Sequence, residues 1–100
     1  MNVFDEAAKA FNLSVQDLQF LHLGAFTKKK TYLCAFNKND LLFVYTGKTR
    51  FVSKDAFFVD DLVKKLEKIK TKKYLFTKSP LCSKARRYLE EKGFYIYAFV

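Results

Sequence analysis

Apolar and polar residues follow their clearest pattern at the end of the chain. The run KYLFTK, beginning at Lys73, and the final run FYIYAFV both have the aromatic and aliphatic character of short strands. Between them, SPLCSKARRYLEEKG has the composition of a helix. Two strands joined by a helix normally run parallel with a right-handed crossover, so this pattern predicts a C-terminal βαβ unit.

The middle of the chain predicts a hairpin and a further helix. The runs TYLCAF and LLFVYTG flank turn residues 37–40, and both are almost continuously apolar, so we expect the hairpin to be covered on both faces. Gly47 allows a turn into a short third strand at residues 49–52. A helix capped by Ser53 or Asp55 follows, with its apolar positions at Phe58, Leu62, Leu66 and Ile69.

The N-terminal residues predict two short helices. One apolar face of the first is formed by Phe4, Ala7, Ala8 and Phe11. Asn12 ends this helix, because asparagine tolerates the left-handed backbone conformation. The second helix begins at Ser14 and ends at Gly24, and its inner face contains Val15, Leu18 and Leu21.

These segments together predict a single domain over residues 1–100. The expected fold class is α+β (or α/β), with a mixed four- or five-stranded sheet, N-terminal helices, a β-hairpin and the C-terminal βαβ unit. A chain of 100 residues, of which 50% are hydrophobic, is large enough for one packed core.

The two N-terminal helices resemble the helix-turn-helix pattern of DNA-binding proteins. The small and buried positions of that pattern are matched by Ala8, Phe11, Leu13, Leu18 and Leu21. The resemblance implies that Gln16 and Gln19 face base edges, since glutamine pairs with adenine. Residues 1–22 nevertheless contain three acids and one lysine, whereas phosphate contacts need basic residues. The alternative is a helical pair that covers one face of the sheet.

Charge gives the strongest functional signal. The net charge of +9 favours a polyanionic partner, either nucleic acid or an acidic protein, although excess lysine also serves solubility. From residue 62 to residue 92 there are eleven basic residues and three acids. The predicted phosphate-binding residues are Lys64, Lys65, Lys68, Lys72, Lys73, Lys84, Arg86 and Arg87. Interleaved aromatic residues, Tyr74, Tyr88, Tyr95 and Tyr97, are candidates for stacking on unpaired bases.

The segment around Cys82 resembles the glutaredoxin active site, in which C-P-Y-C opens a helix. Pro80 matches the proline, Cys82 the second cysteine and Ala85 the small residue behind it. Ser79 stands where the nucleophilic cysteine would be, so the resemblance implies at most a monothiol role for Cys82. The alternative is that Cys82 is a small residue near a helix start.

The order of elements resembles that of restriction-endonuclease-like folds. Such enzymes hold Mg²⁺ with two carboxylates beside a lysine, and the nearest candidates here are Asp40 and Lys48. No carboxylate stands two residues before Lys48, so the resemblance implies an inactive or binding relative.

Several classes of function find no support in the sequence. Two cysteines and one histidine make no zinc pattern, and no catalytic residue, metal site or cofactor is predicted. The N-terminus does not match a signal peptide and no apolar run could span a membrane, so we expect a cytoplasmic protein. The leading hypothesis is a small basic nucleic-acid-binding or accessory protein. The alternatives are a protein-interaction module or regulator of the kind that phages and plasmids encode, and a thioredoxin-like monothiol protein.

Overall fold

The computed structural model describes residues 3–13, 16, 18–25, 31–37, 40–65 and 72–98. Their helices and strands, in chain order, are α1 (Val3–Ala10), β1 (Gln19–Leu21), β2 (Tyr32–Phe36), β3 (Asp40–Tyr45), α2 (Ser53–Lys65), β4 (Lys72–Thr77), α3 (Ser83–Glu91) and β5 (Phe94–Ala98). A short 3-10 turn at Leu23–Ala25 separates β1 from β2.

The five strands form one mixed sheet in the order β1-β2-β3-β4-β5. β1, β2 and β3 are antiparallel neighbours, whereas β3, β4 and β5 run parallel. The predicted α+β class, the hairpin and the C-terminal βαβ unit are therefore confirmed. β3 lies at the centre, and Asp40 and Asn37 close the hairpin turn through a backbone hydrogen bond of 2.9 Å.

Helices cover both faces of the sheet. On the α2–α3 face, α2 and α3 pack on a core that includes Phe43, Phe51 and Leu75. On the α1 face, Ala7 and Ala8 pack on a second core with β2, β3 and β4. The hairpin strands are thus buried on both sides, as their apolar runs predict. Asn12 ends α1 in the left-handed region with a φ of 58°, which confirms its predicted role.

Helices α2 and α3 lie side by side and run in the same direction. Each connects two parallel strands on one face of the sheet, so each runs opposite to those strands. The Tyr88 hydroxyl donates a 2.8 Å hydrogen bond to Asp60, and the Tyr88 ring lies 4.8 Å from that of Phe57. The first turns of both helices therefore meet the ends of β3 and β4 at one edge of the sheet. We call residues 46–54 and 78–87 the carboxyl edge.

The second N-terminal helix is a wrong prediction. Gln19–Leu21 is a strand that pairs with β2, placing Phe20 opposite Ala35, and Leu21 packs against the core of the α2–α3 face. Pairing with the open side of β2 satisfies the backbone and outweighs a weak helical pattern. Gln19 is consequently not on a recognition helix, and the helix-turn-helix interpretation fails. Ser14, Val15 and Asp17 lie outside the described residues.

Two predictions in the middle of the chain also need correction. The third strand at residues 49–52 is reduced to one bridging residue, Phe51, which pairs in parallel with Leu81. It cannot extend further because the N–H of Val52 already donates to the Asp55 carboxylate, 2.9 Å away, at the start of α2. The buried face of α2 includes Ala56 and Val59, which the predicted pattern omitted. Leu66 and Ile69 lie outside the described residues.

Candidate polyanion-binding edge

Backbone pairing holds the two loops of the carboxyl edge together. The N–H of Phe51 donates to the Pro80 carbonyl, and the N–H of Cys82 donates to the Phe51 carbonyl, both at 2.9 Å. This pairing continues the parallel register of β3 and β4 past the ends of the strands. The loop after β3 is therefore fixed beside the loop after β4.

Buried hydroxyl groups reinforce the same contact. The Ser79 hydroxyl donates a hydrogen bond to the Gly47 carbonyl, and the Ser79 N–H donates to the Thr77 hydroxyl at 3.0 Å. The Tyr45 hydroxyl donates to the carbonyl of Thr49 at 3.1 Å. Buried polar groups are expected to find such partners. The bond from Ser79 to Gly47 joins the two loops, whereas the other two bonds fix each loop to the strand before it. The carboxyl edge is accordingly a rigid base for the side chains that project from it.

Positive charge is concentrated on this base. Six of its basic residues are exposed. Lys78 pairs with Glu6 at 2.7 Å, and the other five are Lys48, Arg50, Lys54, Lys84 and Arg87. None of the five forms an ion pair with a carboxylate in the part of the chain that the structure describes. The nearby carboxylate of Asp55 is occupied, because it accepts hydrogen bonds from the Tyr32 hydroxyl at 2.6 Å and from a backbone N–H. The positive charge of these side chains is thus available to a ligand.

The helix dipoles add to this charge. The first turns of α2 and α3 both face the carboxyl edge, and the N-terminus of a helix carries a partial positive charge with N–H groups that lack partners within the helix. Phosphate groups are favoured at such positions. The dipoles and the five cations therefore attract the same class of ligand.

Cys82 lies at the start of α3 within the carboxyl edge. Its thiol makes no capping hydrogen bond, but the backbone N–H groups of Ala85 and Lys84 lower its pKa by favouring the thiolate. The charge of Arg50 and the hydroxyl of Ser53 act in the same direction, against partial burial of the thiol. The N–H groups at the start of α3 are the largest cause, so the donors that favour the Cys82 thiolate are of the kind that bind phosphate at a helix N-terminus.

The structure divides the predicted phosphate-binding residues between two ends of the helix pair. Lys84, Arg86 and Arg87 belong to the carboxyl edge. At the opposite end, beside the last turn of α2 and the start of β4, are Lys64, Lys65, Lys72 and Lys73. The nine residues of α3 separate the two groups by about 13 Å. Lys68 lies outside the described residues.

Several of the predicted residues already have protein partners. Lys64 lies 3.6 Å from Asp60, and Arg86 lies 3.9 Å from Glu90. The ammonium group of Lys73 donates to the carbonyl of Lys92 at 2.6 Å. The carboxyl edge is the better candidate site because five of its exposed cations have no carboxylate partner among the described residues.

Sequence reasoning missed Arg50 and Lys54, and it considered Lys48 only as a partner of Asp40 and not as a phosphate-binding residue. The signal that could have found them is topological: in a parallel pair, the loops that follow the two strands lie at the same edge of the sheet. Pairing β3 with β4, rather than only β4 with β5, would have placed residues 48–54 beside Lys84.

The proposed pairing of Asp40 with Lys48 is wrong. Asp40 begins β3 and Lys48 follows its end, so the six residues of the strand keep the two side chains about 20 Å apart. The Asp40 carboxylate instead accepts a 3.1 Å hydrogen bond from the Asn37 side chain. These two residues therefore cannot form one magnesium site.

Among the described helices, none is long and apolar enough to cross a bilayer. No protein-family model, curated protein or solved structure matches this chain. The function of the carboxyl edge must therefore be argued from its geometry and charge.

Proposed function

We propose that this protein is a small non-catalytic nucleic-acid-binding or accessory protein that contacts phosphates through the carboxyl edge. The observation that supports this proposal is the grouping of five exposed cations beside the first turns of α2 and α3. Their charge is not offset by ion pairs with described carboxylates. The proposal narrows the basic surface expected from the sequence to one end of the helix pair.

The physical basis of binding would be the release of counterions from the phosphate backbone. Each phosphate that a lysine or arginine neutralises contributes about 0.7 to 0.9 to the slope of log affinity against log salt. This contribution does not depend on base sequence. We therefore expect low sequence specificity and affinity that falls steeply with salt.

Two variants of equal net charge test the location of the site. The first replaces three exposed lysines of the carboxyl edge, as Lys48→Gln, Lys54→Gln and Lys84→Gln. The matched control replaces three exposed lysines at the opposite end, as Lys64→Gln, Lys65→Gln and Lys92→Gln. Fluorescence anisotropy of labelled DNA and RNA oligonucleotides, measured between about 50 and about 200 mM salt, gives the affinity and its salt slope.

The edge variant should lose about 2 to 3 from the salt slope, because it removes three phosphate contacts. The control variant should lose less than about 1. Equal losses in the two variants would mean that charge acts over the whole surface, and the carboxyl edge would then not be a site. Failure of the unaltered protein to bind any oligonucleotide at micromolar concentration and low salt would overturn the proposed function itself.

A further inference from the structure

A pair of half-exposed tyrosines lies on the α1 face of the sheet, away from α2 and α3. Tyr95 of β5 stacks on Tyr74 of β4, with ring centres 5.3 Å apart and planes at 27°. Two residues further, Tyr97 stacks on Phe76 at 5.4 Å and 8°. We call Tyr95 and Tyr97, with the two inner rings that support them, the tyrosine ladder. Tyr88, also predicted to stack on bases, is on the other face and does not belong to it.

The outer rings of the tyrosine ladder remain accessible. Tyr95 is 52% exposed and Tyr97 is 40% exposed, whereas the supporting rings of Tyr74 and Phe76 are buried. β5 is an edge strand of the described sheet. The loop after α1 places the Phe11 ring 4.8 Å from that of Tyr74 and, edge-on, 6.4 Å from that of Tyr97. Stacking on the inner rings limits the motion of the outer ones, so binding a further ring would cost little conformational entropy.

The spacing of the two outer rings suits bases that are not stacked on each other. Residues two apart on a strand are about 6.6 Å apart, whereas neighbouring bases in a duplex are about 3.4 Å apart. One extended single strand can therefore place successive bases on Tyr95 and Tyr97. A duplex cannot, because its bases are already stacked on each other and their faces are covered.

Charge complementarity favours a nucleic acid over a second copy of this chain. Alternation along β4 places Lys72 on the same face as Tyr74 and Phe76. Lys78, which directly follows β4, lies on the α1 face, where its ammonium group pairs with Glu6 of α1 at 2.7 Å. A second chain of net charge +9 would be repelled, whereas a phosphate backbone would be attracted.

We propose that the tyrosine ladder stacks on unpaired bases of a single-stranded nucleic acid. The inference rests on the proposed function and specifies its ligand as single-stranded. β4 ends at Thr77 and the carboxyl edge begins at the next residue, so one end of the ladder lies beside the cations of that edge. The phosphate backbone of a single-stranded nucleic acid bound on the ladder would extend towards these cations.

The test compares an intact single strand, an abasic strand of the same length and a duplex. The abasic strand keeps the phosphates and lacks the rings, so the ratio of the two single-strand affinities isolates stacking. The ladder variant is Tyr95→Leu with Tyr97→Leu. The matched control is Phe57→Leu, which removes a ring that is 50% exposed on α2, on the opposite face. Anisotropy gives the affinities, and circular dichroism checks that each variant is folded.

Each outer ring should contribute about tenfold to affinity for the intact strand. The unaltered protein should thus bind it about 100-fold more tightly than the abasic strand, and more tightly than the duplex. The ladder variant should bind the intact and abasic strands alike, and Phe57→Leu should keep the original ratio. If the ladder variant does not fold, the comparison of intact and abasic strands on the unaltered protein decides the question.

Other outcomes separate this inference from the proposed function. Equal affinity of the unaltered protein for intact and abasic strands would overturn the ladder proposal and leave phosphate binding in place. Absence of binding to every strand would overturn both. Light scattering that reveals a dimer, lost in the ladder variant, would assign the surface to a second copy of the chain and overturn the proposal.

Discussion

Replacing Gly47 with alanine tests the packing of Tyr45 under the loop that carries Lys48. A Cβ atom at Gly47 would lie 2.7 Å from Cε1 of the Tyr45 ring, and closer still to its Cζ and hydroxyl oxygen. Gly47 is not in the left-handed region, so it is required for space and not for backbone conformation. Tyr45 cannot easily move, because it is buried and its ring packs against Phe51 with centres 5.1 Å apart.

The expected cost of Gly47→Ala follows from three contributions. Forcing an extra carbon into a packed site costs about 1 to 3 kcal/mol. Displacing the Tyr45 hydroxyl from the carbonyl of Thr49 costs about 0.5 to 1.5 kcal/mol more. Alanine also lowers the conformational entropy of the unfolded chain, which stabilises the folded protein by about 0.4 to 1 kcal/mol. We expect the free energy of unfolding to fall by about 2 kcal/mol, which for a domain of this size lowers Tm by about 8 °C or more.

Urea denaturation of four proteins measures this coupling: the unaltered chain, Gly47→Ala, Tyr45→Leu and the double variant. Leucine at position 45 leaves space for the new methyl group, so Gly47→Ala should cost less than about 0.5 kcal/mol in that background. Gly24→Ala is the matched control, because the nearest atom to its Cβ, Nδ1 of His22, is 4.0 Å away. It should change stability by less than about 0.5 kcal/mol.

Additive effects of Gly47→Ala and Tyr45→Leu would refute this reasoning, since the methyl group would then clash with something other than the Tyr45 ring. A Gly47→Ala protein as stable as the original would refute it more simply. The same variant should weaken oligonucleotide binding if the loop that carries Lys48 and Arg50 is displaced, which connects the packing of the carboxyl edge with its proposed role.

Three further predictions use other parts of the structure. Gly93→Ala should lower the free energy of unfolding by about 1 kcal/mol in urea, because φ is +85° there and a side chain disfavours that conformation. Tyr32→Phe should flatten the loss of stability that thermal melts detect above about pH 10. Burial, followed by the interaction with Asp55, raises the pKa of the Tyr32 hydroxyl. The folded state therefore keeps this proton at a pH at which the unfolded state releases it. Iodoacetamide should modify Cys82 at lower pH than it modifies a free cysteine, because the pKa of Cys82 is lowered. Burial raises the pKa of Cys34 to about 12 and protects that thiol. Mass spectrometry of digests would contradict this prediction if Cys34 reacted first.

Local patterns in the sequence were sufficient to predict most of the elements. Continuous apolar runs on both sides of a polar turn determine the β2–β3 hairpin, because such strands can be stable only when both faces are covered. The run from Lys73 determines the βαβ unit, since a helix between two strands leaves one favoured handedness. The end of α1 at Asn12 also follows from a single residue and its tolerance of positive φ.

Features that depend on pairing between distant segments of the chain were decided only by the tertiary structure. Whether Gln19–Leu21 forms a helix or a strand depends on the open side of β2, which no local pattern contains. The grouping of Lys48 and Arg50 with Lys84 likewise depends on the parallel register of β3 and β4. Periodicity within one segment specifies which side of that segment is polar, but only contacts between segments specify which polar sides meet. The carboxyl edge and the tyrosine ladder are both products of such contacts.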